Sequence, residues 1–124
     1  DRQSDFDESA REVAMNHHER WDGKGYPGYV DIATGEPLKD HTDQDGTALG
    51  KKGEEIPIFG RIVALADVFD ALSSARVYKE AWKESDVLKT IEEESGAQFD
   101  PELVTLFFAC LDTLRSIQKR YAEA

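Results

Sequence analysis

The chain has 124 residues, a formal net charge of −11 and an apolar fraction of 40%. That length is one domain or part of one, with apolar residues enough for a core and no run long enough to span a membrane. The acidic balance disfavours a nucleic acid polymer as partner, but leaves room for a small phosphorylated ligand in a pocket that carries cations or metals.

No signal peptide pattern is present. The sequence starts at Asp1 without Met, inside a helical approach, so it is expected to be a piece of a longer protein. A single cysteine, Cys110, excludes an internal disulfide and fits a reducing, cytoplasmic setting. It lies in an apolar helical stripe, which predicts a buried thiol.

In chain order, Phe6, Ala10, Val13, Ala14 and His17 recur at helical spacing and predict an amphipathic helix over 7–18, capped by Asp5 or Asp7. His17 extends the core-facing stripe, and His18 stands about 100° further round. From Trp21 to Glu55 the sequence reads as loop, with seven of the nine glycines and two of the four prolines. A loop of that length in a small domain is usually functional. Within it, Asp43-Gln44-Asp45-Gly46 resembles a calcium loop only superficially, since Lys52 falls where a bidentate glutamate is needed. His41 reads as a solvated loop residue.

Pro57 suits the first turn of a second helix, over 57–74, with Ile58, Ile62, Leu65, Ala66, Phe69 and Leu72 as its apolar stripe. Asp67, Asp70 and Ser74 share the neighbouring face. A third helix over 84–95 buries Val87, Leu88 and Ile91 and stops at Gly96. Asp100-Pro101 starts a last helix over 101–121, with Leu103, Leu106, Phe107, Cys110, Leu111, Leu114 and Ile117 on its apolar side. Val104 and Phe108 widen that side, part of which is expected to face a partner. The class is all-α: a bundle of about four helices with a long loop between the first two, and no internal repeats.

Two features carry chemistry. His17 and His18 sit where a helix meets a glycine-rich loop, and Asp67 interrupts an apolar helix. Imidazoles and carboxylates on rigid elements are the usual ligands of hydrolytic metal centres. The residues alone also allow a core histidine beside a surface one, and a salt bridge from Asp67 to Arg61, Arg76 or Lys79. Asp70 fits a supporting role, orienting a ligand. Arg76 and Lys79 project together if the helical turn persists and suit phosphate oxygens; equally they are two solvated cations. Trp21, Tyr26 and Pro27 form an aromatic-proline patch that either packs on the core or receives a partner.

Taken together, His17-His18-Glu19-Arg20-Trp21-Asp22-Gly23-Lys24-Gly25-Tyr26-Pro27, Gly53-Glu54-Glu55-Ile56-Pro57, the run Arg61 to Leu72, Arg76-Val77-Tyr78-Lys79, Glu94-Ser95-Gly96 and Phe99-Asp100-Pro101 resemble the C-terminal part of an HD-GYP domain. This is the bacterial branch of the HD superfamily of metal-dependent phosphohydrolases. The resemblance spans about His17 to Val104. It implies an all-α fold, two or three divalent metal ions (iron or manganese) and hydrolysis of cyclic di-GMP in bacterial signalling, as in two-component response regulators. By motif, His17, His18 and Asp67 match metal ligands, with Asp67 and the supporting Asp70 as the catalytic carboxylates. Arg76 and Lys79 match the residues that hold substrate phosphate. Gly25-Tyr26-Pro27 matches the signature loop, tied to substrate access through Tyr26 and to signalling-domain partners.

Three departures stand out. No His is followed by Asp, so the superfamily's namesake pair, its lysine and the earlier ligands are expected upstream. Tyr29 to Lys52 reads as an insertion. Val77 replaces a proline. The expectation is a phosphodiesterase in the parent protein and an inactive, weakly metal-binding fragment that forms a homodimer or exchanges a helix. The alternatives are a non-catalytic nucleotide- or partner-binding module, and a hydrolase of another cyclic dinucleotide such as cyclic GMP-AMP.

Overall fold

The computed structural model describes residues 2–74 and 80–122. Among them are five α-helices: α1 (Arg2–Asn16), α2 (Ile58–Ser73), α3 (Glu84–Glu93), α4 (Pro101–Ala109) and α5 (Leu111–Ala122). Short 3₁₀ turns at Lys39–His41 and Gly53–Glu55 punctuate the long loop. The only strand-like pairings among these residues are isolated bridges, such as Val30 with Pro37 and Thr42 with Ala48. The fold is all-α.

The core forms where α2, α3 and α4 meet. Leu65, Val87, Ile91, Phe99 and Val104 are buried, and Val68, Phe69, Leu72, Leu103, Phe107 and Phe108 pack around them. Val87 and Ile91 are one turn apart on α3, so a helix of ten residues buries a single narrow stripe. Gly96, at φ +84°, takes the left-handed conformation just past the α3 C-cap, where a side chain would be strained. Asp100 caps α4 by accepting the Glu102 N–H at 2.9 Å. Its second oxygen accepts from Arg61 Nη1 at 2.8 Å and so ties α2 to the start of α4.

Helix α1 differs from its periodic pattern. It starts at Arg2, which places Asp5 and Asp7 inside it rather than at its cap. Its expected core stripe is not buried: Phe6 is 68% exposed, and the buried residue of the helix is Asn16. The reason is the site of contact. A Cβ on Gly60 would lie 2.6 Å from the Asn16 Cβ, so the two backbones meet at the C-terminal end of α1, where Asn16 is buried.

The expected last helix is two helices. Cys110 breaks the run at φ −95° and ψ −1°, where its N–H is shared between the carbonyls of Leu106 and Phe107. Leu111 just after the break is buried, while Leu106 before it and Leu114 and Ile117 beyond it are exposed. Cys110 itself is exposed, contrary to the expected buried thiol, because it occupies the bend rather than a helix face. Ile58 and Ile62 on α2 are likewise exposed at 42% and 43%.

Candidate functional site

The contact between Gly60 and Asn16 places the end of α1 on the α2 face that carries Gly60, Ala64, Asp67 and Ala71, spaced four, three and four residues apart. Small side chains at three of these positions leave a cleft of about 410 Å³. It is lined by His17, His18, Ala64, Asp67, Val68, Ala71, Gln98 and the loop from Glu19 through Tyr26. The two histidines and the distant aspartate therefore share one cavity. Asp67 is exposed within it rather than buried. Arg61, an expected salt-bridge partner, is committed to Asp100 and to the Ile56 carbonyl.

His17 and His18 follow the last helical residue. Their ring centroids are 4.0 Å apart. His17 Nδ1 lies 2.8 Å from the Val13 carbonyl, which can only accept, so the proton sits on Nδ1 and the Nε2 lone pair is left available. A ring nitrogen held by a backbone carbonyl is the usual arrangement behind a metal-ligating imidazole. This donor set suits a divalent transition ion. It is partial: among the described residues, no three His, Cys, Asp or Glu side chains form a group that could hold an ion.

The glycine-rich loop folds back over His18. Tyr26 N–H donates to the His18 carbonyl at 3.2 Å, and its ring stacks on His18 at 5.0 Å and 14°. Gly25 permits this, since a Cβ there would stand 2.4 Å from the His18 oxygen. Tyr26 is 63% exposed at the mouth of the cleft. Trp21 has the other fate open to the aromatic patch: it is half-buried, with the Arg61 guanidinium 6.0 Å from its ring. Trp21 and Asp22 N–H groups donate to Gln98 and Ala97, which fixes the loop against the turn after α3. Arg20 bonds Asp22 and reaches Glu94; the Asp22 hydrogen bond comes first in raising the Arg20 pKa and in lowering that of Asp22.

Asp70 lies one turn beyond Asp67, outside the lining of the cleft, and accepts the Ser74 hydroxyl at 3.2 Å. Arg76 and Lys79 lie outside the described residues. Two buried polar residues were not singled out by the sequence, Asn16 and Glu19. Glu19 accepts the N–H groups of Gly28 and Lys51, and Lys51 Nζ donates to Asn16 at 2.6 Å. Nothing in residue spacing marks either one: the partners of Glu19 are backbone amides of a loop, and Asn16 bonds the Glu12 carbonyl and the distant Lys51 ammonium.

The residues 29–52 form a folded excursion. Tyr29 and Leu49 pair at its base, and Asp31 and Asp43 each accept N–H groups of their own turns. His41 is exposed but stacks on Tyr29 at 4.1 Å. Asp43 Oδ1 accepts the N–H groups of Asp45 and Thr47 within its own turn.

Paired imidazoles and a carboxylate in one cleft of a helical domain are residue types that metal-assisted hydrolases use. Residues 37–103 match the family model of the HD domain, and the chain belongs to that family. It is 39% identical over 98% of its length to a cyclic di-GMP phosphodiesterase of Vibrio cholerae, of which it covers 20%. It is 41% identical over 90% of its length to the cyclic di-GMP phosphodiesterase response regulator RpfG of Xanthomonas campestris, covering 24% of that protein. A solved cyclic GMP-AMP specific phosphodiesterase of Vibrio cholerae superposes with a TM-score of 0.53 at 27% identity, over 87% of this chain and 22% of the other. The chain thus spans about a fifth of the length of the curated relatives it matches. HD-domain phosphohydrolases are metal-dependent. Among the described residues no helix is long and apolar enough to cross a membrane.

Proposed function

We propose that the chain is the C-terminal part of an HD-GYP domain in a metal-dependent phosphodiesterase that hydrolyses a cyclic dinucleotide, cyclic di-GMP first. The observation that carries this reading is the shared cleft of His17, His18 and Asp67, with the His17 tautomer set for ligation. The names of the relatives support the substrate class.

In the parent protein His17, His18 and Asp67 supply part of the ligand set for two or three divalent ions, iron or manganese. When bound, such ions supply an activated water for in-line attack on a phosphodiester. Asp70 supports the α2 end of the site. Arg76 and Lys79 bind the non-bridging phosphate oxygens. Tyr26 offers an aromatic face at the cleft mouth to a base, and the Gly25-Tyr26-Pro27 loop is the contact for a signalling domain. A cytoplasmic location is part of this proposal.

The test is metal content and turnover of cyclic di-GMP and cyclic GMP-AMP by the full-length protein and the 124-residue chain side by side. Asp67→Ala in the full-length protein should reduce turnover by at least about a hundredfold and lower bound metal. Undiminished hydrolysis overturns the role of Asp67. A second reading, a nucleotide- or partner-binding module, is favoured by the incomplete ligand group among the described residues. Dinucleotide binding without turnover by the full-length protein selects it.

A further inference from the structure

Glu19 follows the paired histidines and is only 3% exposed. A carboxylate so placed requires compensating donors. It has two: Gly28 N–H on Oε2 and Lys51 N–H, at 3.0 Å, on Oε1. These amides stand at the two feet of the excursion, one on each side. The nearby cation does not neutralise Glu19, because Lys51 Nζ is directed to Asn16. Each of its oxygens accepts one backbone N–H, so the carboxylate is held by the loop on both sides.

The short loop from Glu19 to Gly28 is therefore closed by its own first residue. Inside that closure lie Gly25, packed on the His18 carbonyl, and Tyr26, stacked on the His18 ring. The cleft has no lining residue from 29–52, although the excursion leaves the chain only two residues after Pro27. Gly28 stands two residues after Tyr26, so the carboxylate that fixes the Gly28 amide also limits where Tyr26 can stand.

We infer that Glu19 is a positioning residue of the site: it clamps both feet of the 29–52 excursion and thereby holds Tyr26 over His18 at the cleft mouth. The functional part of this inference rests on the proposed cyclic dinucleotide phosphodiesterase activity; the clamp itself does not. The substitution Glu19→Gln keeps one acceptor and turns the other oxygen into a donor facing an N–H, which releases one foot. Glu19→Asp keeps both oxygens but shortens the reach.

The experiment uses the full-length protein, with hydrogen–deuterium exchange mass spectrometry, metal content, and steady-state kinetics on cyclic di-GMP. The expected result for E19Q is faster exchange in the peptides holding Tyr26, Gly28 and Lys51, with bound metal retained. KM should rise about tenfold while kcat stays within about twofold. E19D should move the same quantities less, and it carries the test if E19Q does not fold. Unchanged exchange, or faster exchange with unchanged KM, overturns the inference. Loss of metal and kcat at constant KM also overturns it, because Glu19 would then act on the ligand set. If the unsubstituted protein turns over no cyclic dinucleotide, the proposed function falls separately. The exchange data then decide the clamp: local acceleration at both feet supports it, and uniform exchange overturns it.

Discussion

Asp100 shows how one side chain can serve two elements. Its Oδ1 caps α4 and its Oδ2 receives Arg61 from α2, with the pair 5% and 16% exposed. Asp100→Ala removes a cap and leaves a largely buried guanidinium with only the Ile56 carbonyl. The expected loss is about 2–4 kcal/mol, readable as a lower midpoint in urea at unchanged slope. Asp22 makes a pH-dependent contribution of the same kind. Its pKa is lowered from the ordinary 3.8 by the Arg20 hydrogen bond. A depressed carboxylate stabilises the fold above its unfolded pKa, and the effect is lost as pH falls through the folded value. Asp22→Asn should therefore lower Tm at neutral pH, and the difference from the unsubstituted protein should shrink below about pH 4. A constant difference across the acid range would contradict that account.

At the scale of elements, the helix pattern was readable because apolar spacing and caps are local. Helix α2 runs Ile58–Ser73 against an expected 57–74, α3 Glu84–Glu93 against 84–95, and α4 opens at the expected Asp100-Pro101. The break at Cys110 was not readable, since Leu103, Leu106, Phe107, Cys110, Leu111, Leu114 and Ile117 keep helical spacing straight through it. The excursion is the element most separable from the site. Tyr29 N–H to the Leu49 carbonyl closes its base at 3.0 Å, and no residue of 29–52 lines the cleft. Replacing Val30–Ala48 in the full-length protein by a tight turn should leave metal content and KM within about twofold. A collapse in either would show that the excursion shapes the cleft.

The whole molecule exposes more surface than its mass requires. Its accessible area is 8854 Å², against about 6,700 Å² expected for a folded monomer of 13.9 kDa. On that surface Ile62, Leu65, Ala66, Phe69, Leu103, Phe107 and Leu114 line an open apolar groove of about 310 Å³. The 124-residue chain alone should self-associate in sedimentation velocity as concentration rises, through this groove. A single monomeric species throughout would show that the face is tolerated in water. The same chain should bind metal weakly, since three candidate ligands share the cleft without forming a closed group.

The sequence by itself determined the all-α class, the starts of α2, α3 and α4, and the motif in which two imidazoles meet a glycine-rich loop. Those follow from spacing, caps and turn chemistry, which act over a few residues. Only the tertiary structure decided that Asp67 shares a cleft with His17 and His18, because that depends on Gly60 admitting the end of α1. It alone assigned Arg61 to Asp100, turned the expected α1 core stripe outward and brought the Gly28 and Lys51 amides onto Glu19. Each is a contact between residues far apart in the chain, where the choice among several chemically suitable partners is made by packing.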